Sequence, residues 1–412
     1  MKEGWEIKSL EEVCTFLNGL WTGKKPPYQT VGVIRNTNFT KDGKLDDSEI
    51  VYLDVEQSQF AKRKLHFGDI ILEKSGGGPK QPVGRVVLFD KVDGDFSFSN
   101  FTSAIRIAKN QEINHSYLHQ FLIFMYVSGV TESMQSHSTG IRNLKFEDYK
   151  SIQIPLPPLP EQQRIVSIID EAFEAIEKAI ENTQKNLQNT RDLFESYLDS
   201  LFENGGEGWE MKKLIDICNS KSDIVGGPFG SNLKVEDYID SGVPILRLQN
   251  IGKGYFINKG IKYISETKSE ELKYHSFKSG DIALAKLGIP IGKTCIIPQD
   301  FQTGIVVADV VRIRPNFRIV RVEYLNYFLN SKYSVSQLTK NITGSTRPRV
   351  NIVDVREIDI PLPSITQQEI IVADIAKIEL QTQTIESKYQ QKLRDLEELK
   401  KSVLNKAFAG EL

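Results

Sequence analysis

Four arrangements in the sequence could do chemistry, and each lacks a part. Gly288–Thr294 (GIPIGKT) approaches a phosphate-cradling loop. That loop needs about four residues between its first Gly and the Gly-Lys pair, and here there are three, with Leu287 in place of the glycine. Lys25–Tyr28 (KPPY) has the outline of the tetrapeptide with which amino-methyltransferases hold their target amine, yet its first residue must accept hydrogen bonds and Lys25 only donates. His115 and His119 fall four apart on a predicted helix, but no Glu follows His115, so they read as two surface histidines. Asp69 and Glu73 hint at a nuclease carboxylate cluster without a lysine at the Glu-x-Lys spacing.

What remains suits binding. GLWTGKK (Gly19–Lys25) and GGPFGSNLK (Gly226–Lys234) mix glycine with groups that donate and accept, among them Lys24, Ser231 and Asn232. VIRNTNF (Val33–Phe39) and ILRLQNI (Ile245–Ile251) set Arg35, Asn36, Asn38, Arg247 and Asn250 just after apolar runs. STGIRN (Ser138–Asn143) and GSTRPRV (Gly344–Val350) place Arg142, Ser345, Thr346, Arg347 and Arg349 on predicted loops. Arg suits a guanine edge or a phosphate, and Asn or Gln can pair with adenine. Lys74 and Lys286 are cations of the kind that meet phosphate. Phosphate contacts would position a duplex and base contacts would specify it.

These candidates fall at matching places because the chain repeats itself. GWEIKSLEEV (Gly4–Val13) returns as GWEMKKLIDI (Gly208–Ile217), and IPLPPLPEQQRIV (Ile154–Val166) as IPLPSITQQEIIV (Ile360–Val372). Between them FGDIILEK (Phe67–Lys74) matches SGDIALAK (Ser279–Lys286), SAIRI (Ser103–Ile107) matches DVVRI (Asp309–Ile313), and YLHQFL (Tyr117–Leu122) matches YLNYFL (Tyr324–Leu329). So long a period means two domains, not a solenoid of units of about 20 to 50 residues. It is also an internal control: a group required by the shared fold appears twice, and a group found once is private to its copy. Glu73 becomes Ala285, whereas Asp69 persists as Asp281 in a turn where aspartate holds backbone amides.

After each IPLP the pattern changes. Pro155, Pro157, Pro158 and Pro160 end a strand-rich domain. Then Ile165, Ile169, Ala172, Ile176, Ile180, Thr183, Leu187, Phe194, Tyr197 and Leu201 recur every three or four residues, predicting a helix over 161–203 of roughly 60 Å. Ile371, Ile375, Ile378, Thr382, Ile385, Tyr389, Leu393, Leu396, Leu399 and Val403 repeat the design. Two such helices bury their seams by packing antiparallel about a pseudo-twofold axis. The predicted class is α+β: β-rich domains at 1–155 and 206–362, spacer helices at 156–205 and 363–412.

The composition fits a globular protein. Net charge is −2, with 40% hydrophobic and 26% charged residues in 412. Leu156–Asn204 holds ten acidic and four basic residues, which leaves the positive excess on the domains, where phosphate would be met. Three cysteines without a CxxC pair predict neither disulfide nor zinc, with Cys14 and Cys218 as small core residues. The opening MKEGWEIKSL lacks the apolar run of a signal peptide, and Tyr117–Val127 is too short to span a bilayer, so the expected setting is cytoplasmic.

The paired hinge and helix (PLPPLPEQQRIV, PLPSITQQEIIV), the terminal KSVLNKAFAGEL, the GGPFGSNLK and GSTRPRV loops and the two GW(E) openings resemble the specificity subunit of type I restriction-modification systems. The resemblance spans the chain. It implies two target recognition domains, each reading half of an interrupted DNA site, and two helices forming an antiparallel coiled coil that docks two modification subunits. Those partners would bind S-adenosylmethionine and methylate adenine, and restriction subunits would add ATP- and Mg-dependent translocation and cleavage, so this chain would be no enzyme, bind no cofactor and hold no metal. STGIRN lacks the Arg-Pro-Arg of GSTRPRV. Two other readings remain open: the separate recognition chain of a type IIB/IIG-like restriction enzyme, and a duplicated scaffold without a DNA role.

Overall fold

The computed structural model describes residues 4–20, 25–40, 42–79, 81–108, 111–138, 141–228, 230, 232–340 and 349–412, the side chains of 137 and 138 excepted. Lys24, Ser231, Ser345, Thr346 and Arg347 lie outside the described residues. Two compact units result, residues 1–184 with 391–412, and residues 185–390.

In the first unit, strands run β1 (Glu6–Ser9), β2 (Cys14–Asn18), β3 (Tyr28–Ile34), β4 (Val51–Glu56), β5 (Ile70–Glu73), β6 (Ser75–Gly77), β7 (Val86–Leu88), β8 (Phe96–Phe98), β9 (Thr102–Ile107), β10 (Gln135–Ser138), β11 (Ile141–Leu144) and β12 (Gln153–Leu156). They form sheets ordered β2-β9-β5-β7, β4-β3-β8, β10-β11-β6 and β1-β12. Every residue of β5 is buried, so its apolar run reads continuously instead of alternating. The helix His115–Val127 is capped by Asn114, whose Oδ1 accepts the Tyr117 N–H.

The second unit repeats this plan with β13 (Glu210–Lys213), β14 (Ile224–Gly226), β15 (Val243–Leu246), β16 (Lys262–Ile264), β17 (Ser276–Lys278), β18 (Ile282–Ala285), β19 (Thr294–Ile296), β20 (Thr303–Val306), β21 (Val310–Ile313), the helix Val322–Asn330 and β22 (Asp359–Leu362). Its sheets are β14-β21-β18-β19, β16-β15-β20-β17 and β13-β22.

The register corrects one match. Ile70 faces Ile105 and its counterpart Ile282 faces Ile313, so SAIRI corresponds to Val311–Pro315, two residues later than the sequence pairing. Arg314, not Arg312, is therefore the equivalent of Arg106. Both make the same buried link. Arg106 forks onto both oxygens of Asp69 (2.7 and 2.6 Å), and Arg314 onto both of Asp281 (2.9 and 2.7 Å). Each aspartate also accepts one backbone amide, from His66 and Lys278.

The long helices run Leu159–Asn204 and Ile365–Ala409. Within the first unit the start of the first helix packs beside the end of the second. Ile165, Ile169, Leu404, Ala407 and Phe408 share one core, and Lys400 lies over the Phe173 ring. Within the second unit the pairing reverses, with Leu198 and Phe202 joining Ile375 in the core and Arg191 bonded to Glu386 (3.0 Å). Each pairing is thus antiparallel. Of the expected seam residues, Ile165, Ile169, Ile176, Thr183 and Ile375 are buried, whereas Ile385 and Leu399 are exposed.

Pro155, one of the prolines expected to end the strand-rich domain, sits inside β12, and Pro361 sits likewise inside β22. Each strand pairs on one side only, in β1-β12 and β13-β22, so a missing N–H is tolerated at the edge. Pro160 occupies the first turn of its helix, where its N–H would have no partner anyway.

Candidate nucleic-acid interface

Lys74 and Lys286 each directly follow a buried strand, β5 and β18, and three segments converge on them. In the first unit the Lys74 amide donates to Phe101 O (3.0 Å) and its carbonyl accepts from Leu144 (2.8 Å). The Lys286 amide likewise donates to Asp309 O (2.8 Å), and its carbonyl accepts from Val350 (3.0 Å). Lys74 Nζ reaches Asn18 Oδ1 (2.8 Å), where the GLWTGKK loop departs, and Lys286 Nζ lies against Gly226, where GGPFGSNLK departs. Asn232 is exposed within that second loop. Burial lowers both ammonium pKa values; at Lys286 Arg349 lowers it further and Asp309 opposes. Lys74, half-buried beside the neutral Asn18 amide, gains by meeting an anion, and so does the Lys286–Arg349 pair, which has only Asp309 to offset its two charges.

The loops start on glycine for a steric reason. A Cβ on Gly19 would stand 1.8 Å from Ser99 O, and one on Gly227 would stand 2.1 Å from the Val307 carbonyl. Only glycine lets these strands pass so closely.

Around Lys74 gather several of the expected residues. Arg142 lies on strand β11, not on a loop, pairs with Gly77 of β6, and donates to Gln135 Oε1 (3.4 Å). Asn36 donates to Glu73 (3.2 Å) and adjoins Gly76. Two neighbours escaped sequence reasoning, Asn143 on β11 and the exposed ring of Phe101. In the second unit Arg349 occupies the place of Asn143 and pairs with Asp309, the counterpart of Phe101.

Asn38 and Asn250 are corrected. Both are 0% exposed and build the loop instead of reading a base. Asn38 Oδ1 accepts the Arg35 N–H (2.9 Å) and its amide donates to Asp46 O (3.2 Å). Asn250 Oδ1 accepts the Arg247 N–H (3.1 Å), and its Nδ2 donates to Ile257 O and Lys259 O (both 3.1 Å). The guanidinium groups of Arg35 and Arg247 also reach carbonyls, Glu49 O (3.5 Å) and Gly260 O (2.6 Å). Arg–x–x–Asn is a loop closure used twice.

The catalytic decoys resolve likewise. Glu73 is a buried partner of Arg85 (2.7 and 3.1 Å), whose guanidinium also donates to Phe39 O and Asn36 O. Gly288–Thr294 runs into β19, whereas a phosphate loop opens a helix. His119 is buried, not on the surface, and burial pushes its pKa down to about 4. Cys14 is buried; Cys218 is half-buried, its thiol pushed up to about 12 by burial. Among the described residues no group of three or more His, Cys, Asp or Glu side chains is placed to hold a metal ion, and no helix is long and apolar enough to cross a membrane.

Comparison with known proteins decides what this architecture is. The family described as type I restriction modification DNA specificity domain matches residues 2–186 and again 206–395. The chain belongs to that family. The MjaVIII specificity subunit of Methanocaldococcus jannaschii is 25% identical over 100% of this chain and 93% of its own length, and the EcoKI specificity subunit of Escherichia coli is 24% identical over 100% and 90%. In fold, a chain from a type I restriction-modification system structure superposes with TM-score 0.75 at 20% identity, covering 100% of this chain and 99% of that one. The HsdS subunit of Thermoanaerobacter tengcongensis gives 0.59 at 20% identity, covering 100% and 98%. This specificity subunit is a DNA-recognition component of a type I restriction-modification complex, with two specificity domains in tandem and long helices between and after them.

Proposed function

We propose that each unit reads one half of a bipartite duplex site, and that the long helices fix the unread spacer and dock two modification subunits. The observation that carries this is the duplicated convergence on Lys74 and Lys286, each uniting a glycine-started loop with an arginine- or asparagine-bearing segment. Lys74, Lys286 and Arg349 would meet phosphate, while Asn36, Arg142, Asn143 and Asn232 would face base edges. Methylation with S-adenosylmethionine, and ATP- and Mg-dependent translocation and cleavage by restriction subunits, belong to the partners; this chain supplies no catalytic group and works in the cytoplasm. Support for docking comes from apolar side chains on the helices, Leu193 71% and Leu380 66% exposed, which suit further helices. Matches along the whole chain to type I subunits favour this over a type IIB/IIG-like chain or a scaffold.

The test lengthens the ruler. Inserting three or four residues near Ile180 adds about one helical turn, about 5 Å, against about 3.4 Å per base pair. Methylation mapping with the modification subunit should show a spacer longer by one or two base pairs and both half-sites unchanged. An unaltered spacer would contradict the proposal.

A further inference from the structure

Both long helices leave their domains through the same joint. One turn into the first helix, Gln162 is 1% exposed; its Oε1 accepts the Asn114 N–H (2.9 Å), and its Nε2 donates to Pro157 O (2.8 Å) and Glu112 O (3.2 Å). In the second, buried Gln368 accepts the Arg321 N–H (2.8 Å) and donates to Pro363 O (2.9 Å) and Ile319 O (3.1 Å). Beside each amide a tyrosine from the domain helix reaches into the strand before the hinge. Tyr117 donates to Pro155 O (2.6 Å), and Tyr324 to Pro361 O.

The partners of each glutamine are backbone groups from separate places: the hinge that precedes its own helix, the turn before the domain helix, and the start of that helix. Their side chains differ between copies, Asn114 against Arg321 and Glu112 against Ile319, yet the bonds are the same. Apolar packing alone does not explain the choice of residue. Gln162, Ile165 and Ile169, like Gln368, Ile371 and Ile375, fall on one helical face, where an apolar side chain would fill the space without needing partners. A buried amide is costly unless satisfied. Satisfied by three fixed backbone groups, it gives the joint directions that sliding apolar contacts lack.

Resting on the bipartite reading above, we propose that Gln162 and Gln368, seconded by Tyr117 and Tyr324, are positioning residues that fix the direction in which each helix leaves its domain and thereby the spacer the subunit accepts. The lever is long. A helix of 46 residues measures about 69 Å, so a tilt of about 5° at one end displaces the other by about 6 Å, nearly two base pairs.

The test uses the full chain with its modification subunit and a duplex pool in which both half-sites are kept while the spacer varies by single base pairs. Wild type should lose affinity about tenfold per base pair from its preferred spacer, and Gln162→Met with Gln368→Met should lose less than about threefold, with half-site mismatch penalties unchanged. Tyr117→Phe with Tyr324→Phe, which removes only two hydroxyls, should broaden spacing in the same direction and serves if the glutamine variant fails to fold. Spacing as sharp as wild type in the folded variants overturns the proposal. So does a parallel fall in half-site discrimination, which would mark the joint as mere scaffolding. Wild type without any spacing preference would instead overturn the bipartite reading on which the proposal stands.

Discussion

Glu73→Ala offers a sharp trial of the energetics inside the first domain. The carboxylate is 1% exposed, takes two hydrogen bonds from Arg85 and one from Asn36, and its loss leaves a guanidinium nearly enclosed without its counter-charge. Removing one partner of a buried pair costs about 3–5 kcal/mol, more than the net value of the pair itself. The second copy shows how to live without it: Ala285 stands for Glu73 and Lys293 for Arg85, and the backbone links are kept. Glu73 N donates to Arg85 O (2.9 Å), and Ala285 N donates to Lys293 O (2.8 Å). Glu73→Ala with Arg85→Lys should therefore recover to within about 1–2 kcal/mol of wild type, since a compact, flexible ammonium is not tied to the planar fork that the carboxylate matched and can turn to water. Two units need not unfold together, so urea unfolding is best followed by hydrogen exchange on peptides from residues 70–107 and, as control, 282–314. The single variant should shift only the first region. A loss under about 1 kcal/mol, or a double variant no better than the single, refutes the reasoning.

Other expectations follow from the same geometry. Lys74→Ala or Lys286→Ala should weaken DNA binding across all sequences and reduce the slope of log affinity against log salt by about 1; a change confined to particular base sequences would show that the lysine reads bases. His119, its pKa pushed down to about 4 from an unfolded value near 6.5, is neutral in the fold. Its contribution to stability is complete above about pH 6.5 and disappears as pH falls towards about 4. His119→Asn, copying Asn326, which donates to Gly254 O (3.1 Å), should flatten that acid slope in the first unit, and an unchanged slope in pH-dependent unfolding would count against it.

The two domains and long helices could be read from the sequence because repetition and three-to-four spacing are properties of the chain itself. Register could not. SAIRI and DVVRI share letters at one alignment, but the ladder slides the pairing by two residues, which keeps the same face of the strand and hands the aspartate to Arg314. Asn38 and Asn250 were legible in principle: their presence in both copies is what a fold requirement predicts, whereas a reader of different half-sites should differ. Ile385 and Leu399 were misplaced because periodicity marks a face without saying what covers it. Phe101 and Asn143 come beside Lys74 only through long-range pairing, which no local pattern announces.

One detail of the packing bears on ancestry. Phe408, at the tail of the helix that departs from the second copy, wedges between Tyr117, Phe121 and Phe124 of the first. Phe202, at the tail of the helix departing from the first, plugs against Tyr324 and Phe328 of the second. Every globule is thus finished by its sibling's tail, and the two plugs are interchangeable in kind. A gene half this size would encode a complete socket and a complete plug, so its product could close only by embracing a twin, and fusing two such genes end to end would free each socket to evolve a taste of its own.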